Sequence, residues 1–281
     1  MIDIVTTTYR SADKLRMCIE SVTEKTKSVD YKWYIWCNDP NDEIKKVIDE
    51  AIYFDDILIS DKIVPIFNDN NDGSFSSNNN EAAAEGDGEF ILFLNDDIYP
   101  INDSWLYSME QILKTDPKVG AVGALLMYPD QKTVQHCGVM FSQRTNDLPF
   151  HIHYRQPLSN YMMSPRYYQA VTGACMLMRR SDFEEIGGFS EKFFYGFEDI
   201  ALCLDIKHKL KKRCVFNPGA QLIHHEGISG TFKTHPKLQE NIGTLREDYK
   251  GKFFNDEMFY LRDKSFMIYK SKKPVAKEDS E

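Results

Sequence analysis

Three consecutive polar residues, Asn95, Asp96 and Asp97, follow directly on the apolar run FILFL. Unbroken hydrophobicity of that length reads as a strand covered on both faces. Side chains alternate along a strand, so Asn95 and Asp97 are expected on one side of its carboxyl end and Asp96 on the other. In open α/β sheets ligands bind beyond the carboxyl ends of the strands. Hard cations such as Mg²⁺ or Mn²⁺ take one or two carboxylates there and complete their shell with substrate phosphate oxygens. The chemistry this predicts is a metal–diphosphate site; the plainer reading is a cap on the next turn. A second acidic pair, Glu198 and Asp199, stands where a helix is expected to begin. A carboxylate with an ordinary pKa near 4 is ionised at neutral pH and can take the proton of an attacking hydroxyl, although a helix dipole alone also favours acids there. His224 and the adjacent His225 offer imidazoles, which suit Mn²⁺.

The elements that position these groups alternate short apolar runs with helical periodicities, the pattern of βαβ units around a mostly parallel sheet. Strands are expected at Ile2 to Val5, Trp33 to Cys37, Ile63 to Phe67 and Phe90 to Leu94. A helix with Ala12, Leu15, Ile19 and Val22 on one face follows the first, N-capped by Ser11. A second starts at Asp42 and Glu43 and buries Ile44, Val47, Ile48 and Ala51. Residues 68–80 are rich in Asn, Asp and Ser and read as turns before a helix at Glu81 to Glu85. Another helix is expected from Asp103 to Thr115, then strand-like AVGALLM and QHCGVMF segments. The stretch from Arg144 to Arg166 is irregular and loop-like. Ser181 and Glu184 form an S-x-x-E capping box for a short helix stopped by Gly187 and Gly188, a longer helix runs from Glu198 to about Leu210, and Cys214 to Phe216 make a last short strand.

The chain has 281 residues and a formal net charge of −9. That length holds one large α/β core. The negative charge argues against nucleic acid or anionic lipid as a partner, so a phosphate-bearing ligand must be held locally. Six cysteines without a CxxC pair suggest reduced thiols in a cytoplasmic setting, and neither an export signal nor an apolar run of membrane-spanning length is visible. Residues 231–270 read as a charged, helix-prone extension and 271–281 as a disordered tail.

Several segments, in order over residues 1–230, resemble the family 2 glycosyltransferases, bacterial rhamnosyltransferase-like members included: IVTTTYR, GSFSSNNNEAA, FLNDD, QHCGV, AVTGACMLMRR, IGGFSEKFFYGFED and NPGAQLIHH. The resemblance implies a GT-A fold, with a nucleotide-sugar-binding half over about 1–115 and an acceptor-binding half over about 116–230. It implies an inverting transfer from a UDP- or dTDP-linked sugar to a glycan or other hydroxyl acceptor. Thr7, Thr8 and Tyr9, Asn38 and Asp39, Asn79, and Asn95 and Asp96 would contact the donor, and Gly173 would lie between donor and acceptor. Asp97 would bind Mn²⁺ or Mg²⁺ with His224 or its neighbour. Asp199 would be the general base and Glu198 would hold the acceptor. The chain departs from the family where Cys37 precedes Asn38 in place of a base-reading Asp, where Asn95 replaces the first Asp of Asp-x-Asp, leaving Asp96 as alternative ligand or ribose contact, and where Ala201 and Asp205 follow the Glu-Asp pair. The alternatives are a carbohydrate-binding protein of the same fold without activity, and a sugar-phosphate nucleotidyltransferase, which needs a glycine-rich loop that TTTYR lacks.

Overall fold

The computed structural model describes residues 1–52, 61–70, 73–194, 196–225, 236–262, 265 and 267–270; the terminal segment 271–281 lies outside them. In the first half β1 (Ile2–Thr8), β2 (Tyr31–Asn38), β3 (Ile63–Asn68) and β4 (Phe90–Leu94) alternate with α1 (Ala12–Lys25), α2 (Asp42–Ile52) and α3 (Phe75–Ala84). The chain continues through β5 (Ile98–Pro100), α4 (Trp105–Thr115), β6 (Val119–Met127), β7 (Val134–His136), β8 (Val139–Phe141), β9 (Pro149–His151), β10 (Arg166–Tyr168) and β11 (Cys175–Arg179). It then forms α5 (Arg180–Ile186), α6 (Glu198–His208), β12 (Arg213–His224), α7 (Leu238–Asp248) and α8 (Glu257–Arg262).

One mixed sheet carries the order β10-β12-β6-β11-β4-β1-β2-β3, with β5 on β12 and β7 on β6. The strands β3, β2, β1 and β4 are parallel, as the βαβ pattern predicts. The antiparallel β11 then inserts between β4 and β6, so the second half joins the same sheet. FILFL explains itself by its two faces: Phe90, Leu92 and Leu94 enter the core with residues of α1, α2 and α4. Ile91 and Phe93 enter the opposite core with Ala82, Phe183 and Leu204. Burial on both faces is what unbroken hydrophobicity required. All six cysteines are buried and unpaired.

A buried ion pair joins the two halves. Asp3 of β1 is 0% exposed and receives Arg180 Nη2 at 2.6 Å and Gly88 N at 2.6 Å, while the same guanidinium caps Gly88 O and Ala83 O at 2.8 Å. Removing one partner of such a pair strands the other charge. Arg180→Ala is therefore expected to cost about 3–5 kcal/mol in denaturant unfolding; a loss below about 1 kcal/mol would show that water reaches Asp3.

Several expectations change. The helix expected at Glu81 begins at Phe75, because Ser74 and Ser77 form a reciprocal capping box and the polar side chains have tertiary work: Asn80 exchanges hydrogen bonds with Phe189 N (2.8 Å) and O (2.9 Å), and Ser76 donates to Phe193 O at 3.1 Å. The capping box expected at Ser181 does not form; α5 is capped at Arg179 with no side-chain hydrogen bond, and Gly187, at φ 92°, ends it in the left-handed region. Ser11 precedes α1 but makes no capping bond, its hydroxyl donating to Tyr9 O instead. The last strand runs to His224 rather than stopping near Phe216, since the Pro-Gly step is an irregularity between Asn217 and Gln221, after which pairing with β6 resumes.

Candidate active site

The carboxyl ends of β1 to β4 share one edge: Thr8 lies opposite Cys37, and Asn38 opposite Asn68. Beyond this edge the chain turns through Asn95, Asp96 and Asp97, with Ile98 N returning to Asn95 O at 3.3 Å, and the acids face different partners. Thr8 Oγ1 donates to Asp96 Oδ2 at 2.7 Å. Burial, reinforced by the neighbouring Asp97, pushes the Asp96 carboxyl up to about 7.

Asp97 is 8% exposed and both its oxygens are engaged. Oδ2 receives Lys14 Nζ at 2.8 Å, from α1, and Oδ1 lies 3.1 Å from His224 Nε2. Burial alone would raise this carboxyl, but His224 and Lys14 outweigh it and hold it below the usual range. The neighbourhood is a product of strand pairing: β12 sets His224 opposite Ile98 of β5, and His225 N closes the ladder on Asp97 O at 3.1 Å. The His225 ring packs on Tyr99 at 5.0 Å between centroids, and its carbonyl accepts Lys14 Nζ at 2.9 Å. Of the two histidines, His224 therefore meets the carboxylate.

Carboxylate oxygen and imidazole nitrogen are donors that Mn²⁺ or Mg²⁺ accepts. Adjacent ligands of an octahedral cation bound at about 2.1 Å stand about 3 Å apart, close to the 3.1 Å between Oδ1 and Nε2. Among the described residues no cluster of three or more His, Cys, Asp or Glu side chains is suited to a metal. The pair thus fits a cation that takes its remaining ligands from substrate and water.

Asp199 sits at the start of α6, where Phe197 at φ 72° forms the cap. Its Oδ2 accepts Gly173 N at 2.9 Å and its Oδ1 accepts Ile200 N at 2.8 Å. Burial raises this carboxyl despite those bonds. A Cβ on residue 173 would stand 3.1 Å from Asp199 Cβ, so glycine permits the close approach. The next residue returns to the other acid's segment, Ala174 O accepting Asn95 N at 3.0 Å. The short stretch Thr172 to Ala174 thereby ties both acidic segments together across the β4–β11 pairing.

Glu198 is buried, and its Oε2 has no hydrogen-bond partner among the described residues. Burial first, then Asp199, push it from the usual 4.5 up to about 8, which makes it a neutral acid at neutral pH. A carboxyl raised on folding stabilises the native state fully below its unfolded pKa of about 4.5 and loses that contribution as pH climbs through about 8. The melting temperature of the wild type is expected to fall between about pH 5 and about pH 8.5, and Glu198→Gln to flatten the decline; parallel curves would mean that Glu198 is already ionised.

The other sequence-predicted residues divide. Thr7 and Thr8 end β1. Tyr9 is exposed with the Arg10 guanidinium 5.1 Å above its ring, and Arg10 pairs with Asp39. Asn38 Oδ1 accepts Asn68 Nδ2 at 3.1 Å. These stand at the carboxyl ends of β1 and β2. Asn79 is not among them: it is 1% exposed and its amide donates to Phe75 O of its own helix at 2.8 Å. Sequence reasoning did not single out Lys14, Arg10 or Gln135. A lysine beside the apolar stripe of α1 carries no signal by type, whereas Gln135 lies inside the noted QHCGV motif.

Residues 3–187 match the family described as Glycosyl transferase family 2, and residues 153–224 match one described as N-terminal domain of galactosyltransferase. The chain is 36% identical over 158 residues to the O-antigen biosynthesis protein RfbC of Myxococcus xanthus, covering 54% of this chain and 12% of that protein. It is 30% identical over 127 residues to the N-acetylglucosaminyl-diphospho-decaprenol L-rhamnosyltransferase of Mycobacterium tuberculosis, covering 40% of this chain and 39% of the other. Its backbone is similar to the crystal structure of GalNAc-T7 with UDP, GalNAc and Mn²⁺, at TM-score 0.68 and 14% identity, over 88% of this chain and 48% of that one. It spans less than half the length of each. The fold is of the GT-A type, and among the described residues no helix is long and apolar enough to cross a membrane.

Proposed function

This chain belongs to glycosyl transferase family 2, and on that premise we propose that it moves a sugar from a nucleoside-diphosphate donor to a hydroxyl of a glycan acceptor, with inversion. The carrying observation is that Thr172 to Ala174 binds the Asn95–Asp97 turn through one residue and Asp199 through its neighbour. That linkage supports reading Asp97 as a cation-holding acid and Asp199 as a proton-accepting acid of one site. The relatives' names supply donor and acceptor classes for this chain to be tested against: UDP in the solved neighbour, and O-antigen and N-acetylglucosaminyl-diphospho-decaprenol in the others.

Asp97 Oδ1 and His224 Nε2 would hold Mn²⁺ or Mg²⁺. When bound, the cation offsets the charge that develops on the departing diphosphate. The chain's own residues do the rest. Asp199 takes the acceptor hydroxyl proton as that oxygen bonds to the anomeric carbon on the face opposite the diphosphate. The bond from anomeric carbon to diphosphate oxygen breaks, and its electron pair leaves with the nucleoside diphosphate. Glu198, kept neutral, donates a hydrogen bond into the same space and holds a sugar hydroxyl without repelling Asp199. Asp96, braced by Thr8, and the Asn38–Asp39 end of β2 contact the nucleoside. Thr7 and Tyr9 flank it.

The direct test incubates the protein with UDP- and dTDP-linked sugars, Mn²⁺ and diphospho-lipid or oligosaccharide acceptors, and reads nucleoside diphosphate release and the anomeric configuration of the product. Acceptor-stimulated release with an inverted product is expected. Saccharide binding without nucleotide binding or release would replace this reading by a carbohydrate-binding role.

A further inference from the structure

We propose that Gln135 is a positioning residue that sets the tautomer of His224 and so leaves its Nε2 open toward a cation. This rests on the cation-site reading above. In β7, Leu126 pairs with His136 and Met127 with Val134, so Gln135 is the extra residue of a β-bulge. A bulge re-aims a side chain out of the regular alternation. Here it turns a 3% exposed amide onto His224, with Gln135 Oε1 2.8 Å from His224 Nδ1.

An amide oxygen only accepts, so the imidazole proton must lie on Nδ1. Nε2 then presents a lone pair to Asp97 Oδ1 at 3.1 Å, and that oxygen is itself an acceptor. Two acceptors facing each other at that distance need a positive centre between them: a second proton on Nε2 in the free protein and, when bound, the cation that replaces it. Lys14 occupies only Oδ2, so the centre would sit between Oδ1 and its partner His224 Nε2. The same bulge anchors itself: Gln135 O faces His151 Nδ1 at 3.1 Å, and the next residue, His136, accepts Thr172 N on its Nε2 at 3.4 Å. One three-residue strand therefore orients the histidine on the cation side and supports the segment that holds Asp199 through Gly173 N.

The test measures Mn²⁺ binding to the full chain by the EPR signal of free Mn²⁺, with and without UDP, in the wild type, Gln135→Leu and Gln135→Glu. Removing the partner that orients a metal-binding histidine weakens affinity by about 10- to 100-fold. That loss is expected for Gln135→Leu, with recovery to within about threefold of wild type for Gln135→Glu, which keeps an accepting oxygen. Nitrogen-15 NMR of the histidine rings reads the tautomer directly in the wild type, so the proposal stays testable if the leucine variant does not fold; the proton is expected on Nδ1. Wild-type Mn²⁺ affinity retained by Gln135→Leu, or a proton found on Nε2 with none on Nδ1, overturns the role of Gln135 alone. Absence of Mn²⁺ binding by the wild type, with UDP present, overturns the cation site and this inference together.

Discussion

Asp199→Asn is expected to lower kcat by about 10³-fold while UDP and Mn²⁺ affinities stay within about twofold, since a positioned general base contributes about 10² to 10⁴. The substitution is nearly isosteric but changes more than charge. Both carboxylate oxygens accept backbone N–H groups, from Gly173 and Ile200, and an amide can accept only one of them. A stability loss of about 1–3 kcal/mol from the unsatisfied donor should accompany the kinetic effect, so turnover must be compared where both proteins are folded. Because burial raises Asp199, the acid limb of the wild-type kcat/KM profile should lie above the ordinary carboxylate range, activity rising with pH as the group loses its proton. Turnover by the variant within tenfold of wild type would remove Asp199 from the base role.

The second large effect concerns Asp97. Asp97→Asn removes the carboxylate that contacts both Lys14 Nζ and His224 Nε2. Mn²⁺ binding should become undetectable, and transfer should fall by about 10³-fold or more, the several kcal/mol that a cation contributes to leaving-group charge. Excess Mn²⁺ should not restore it. Asp96→Asn separates the two acids: Asp96 is tied to Thr8 rather than to His224, so its loss should weaken nucleotide binding and leave Mn²⁺ affinity nearly intact. If the two variants behaved alike, the assignment of the cation to Asp97 and His224 would be wrong.

How much of this was legible in sequence depends on whether a residue's partner is local. FILFL announced a two-sided strand because burial on both faces removes alternation, and the helical faces of α1 and α2 were set by periodicity alone. The acids were visible by type and place, but a turn cap and a helix dipole explain acids there as well, and only the family resemblance lifted them above that reading. The start of α3 was missed because its Ser and Asn side chains are satisfied by Phe189 and Phe193, over a hundred residues away, and nothing local reveals such a bond. Likewise the strand beyond Phe216 was missed, because β6 and β5 supply its ladders from elsewhere in the chain. Lys14 and Gln135 were hidden for the same reason: each acts through a residue that only the assembled sheet brings near. The family resemblance carried what periodicity could not, the pairing of NDD with FED.

The buried thiols have a practical consequence. Cys18 donates to the carbonyl of Asn95 at 3.7 Å, and Cys175 pairs in register with Leu94, one step ahead of the acidic turn. Both thiols are pushed far up by burial and stay unreactive while that strand end is closed. Labelling of Cys18 and Cys175, resolved from the other four thiols by peptide mass, is thus a built-in gauge of how often this end of β4 opens to solvent, one that needs no engineered label.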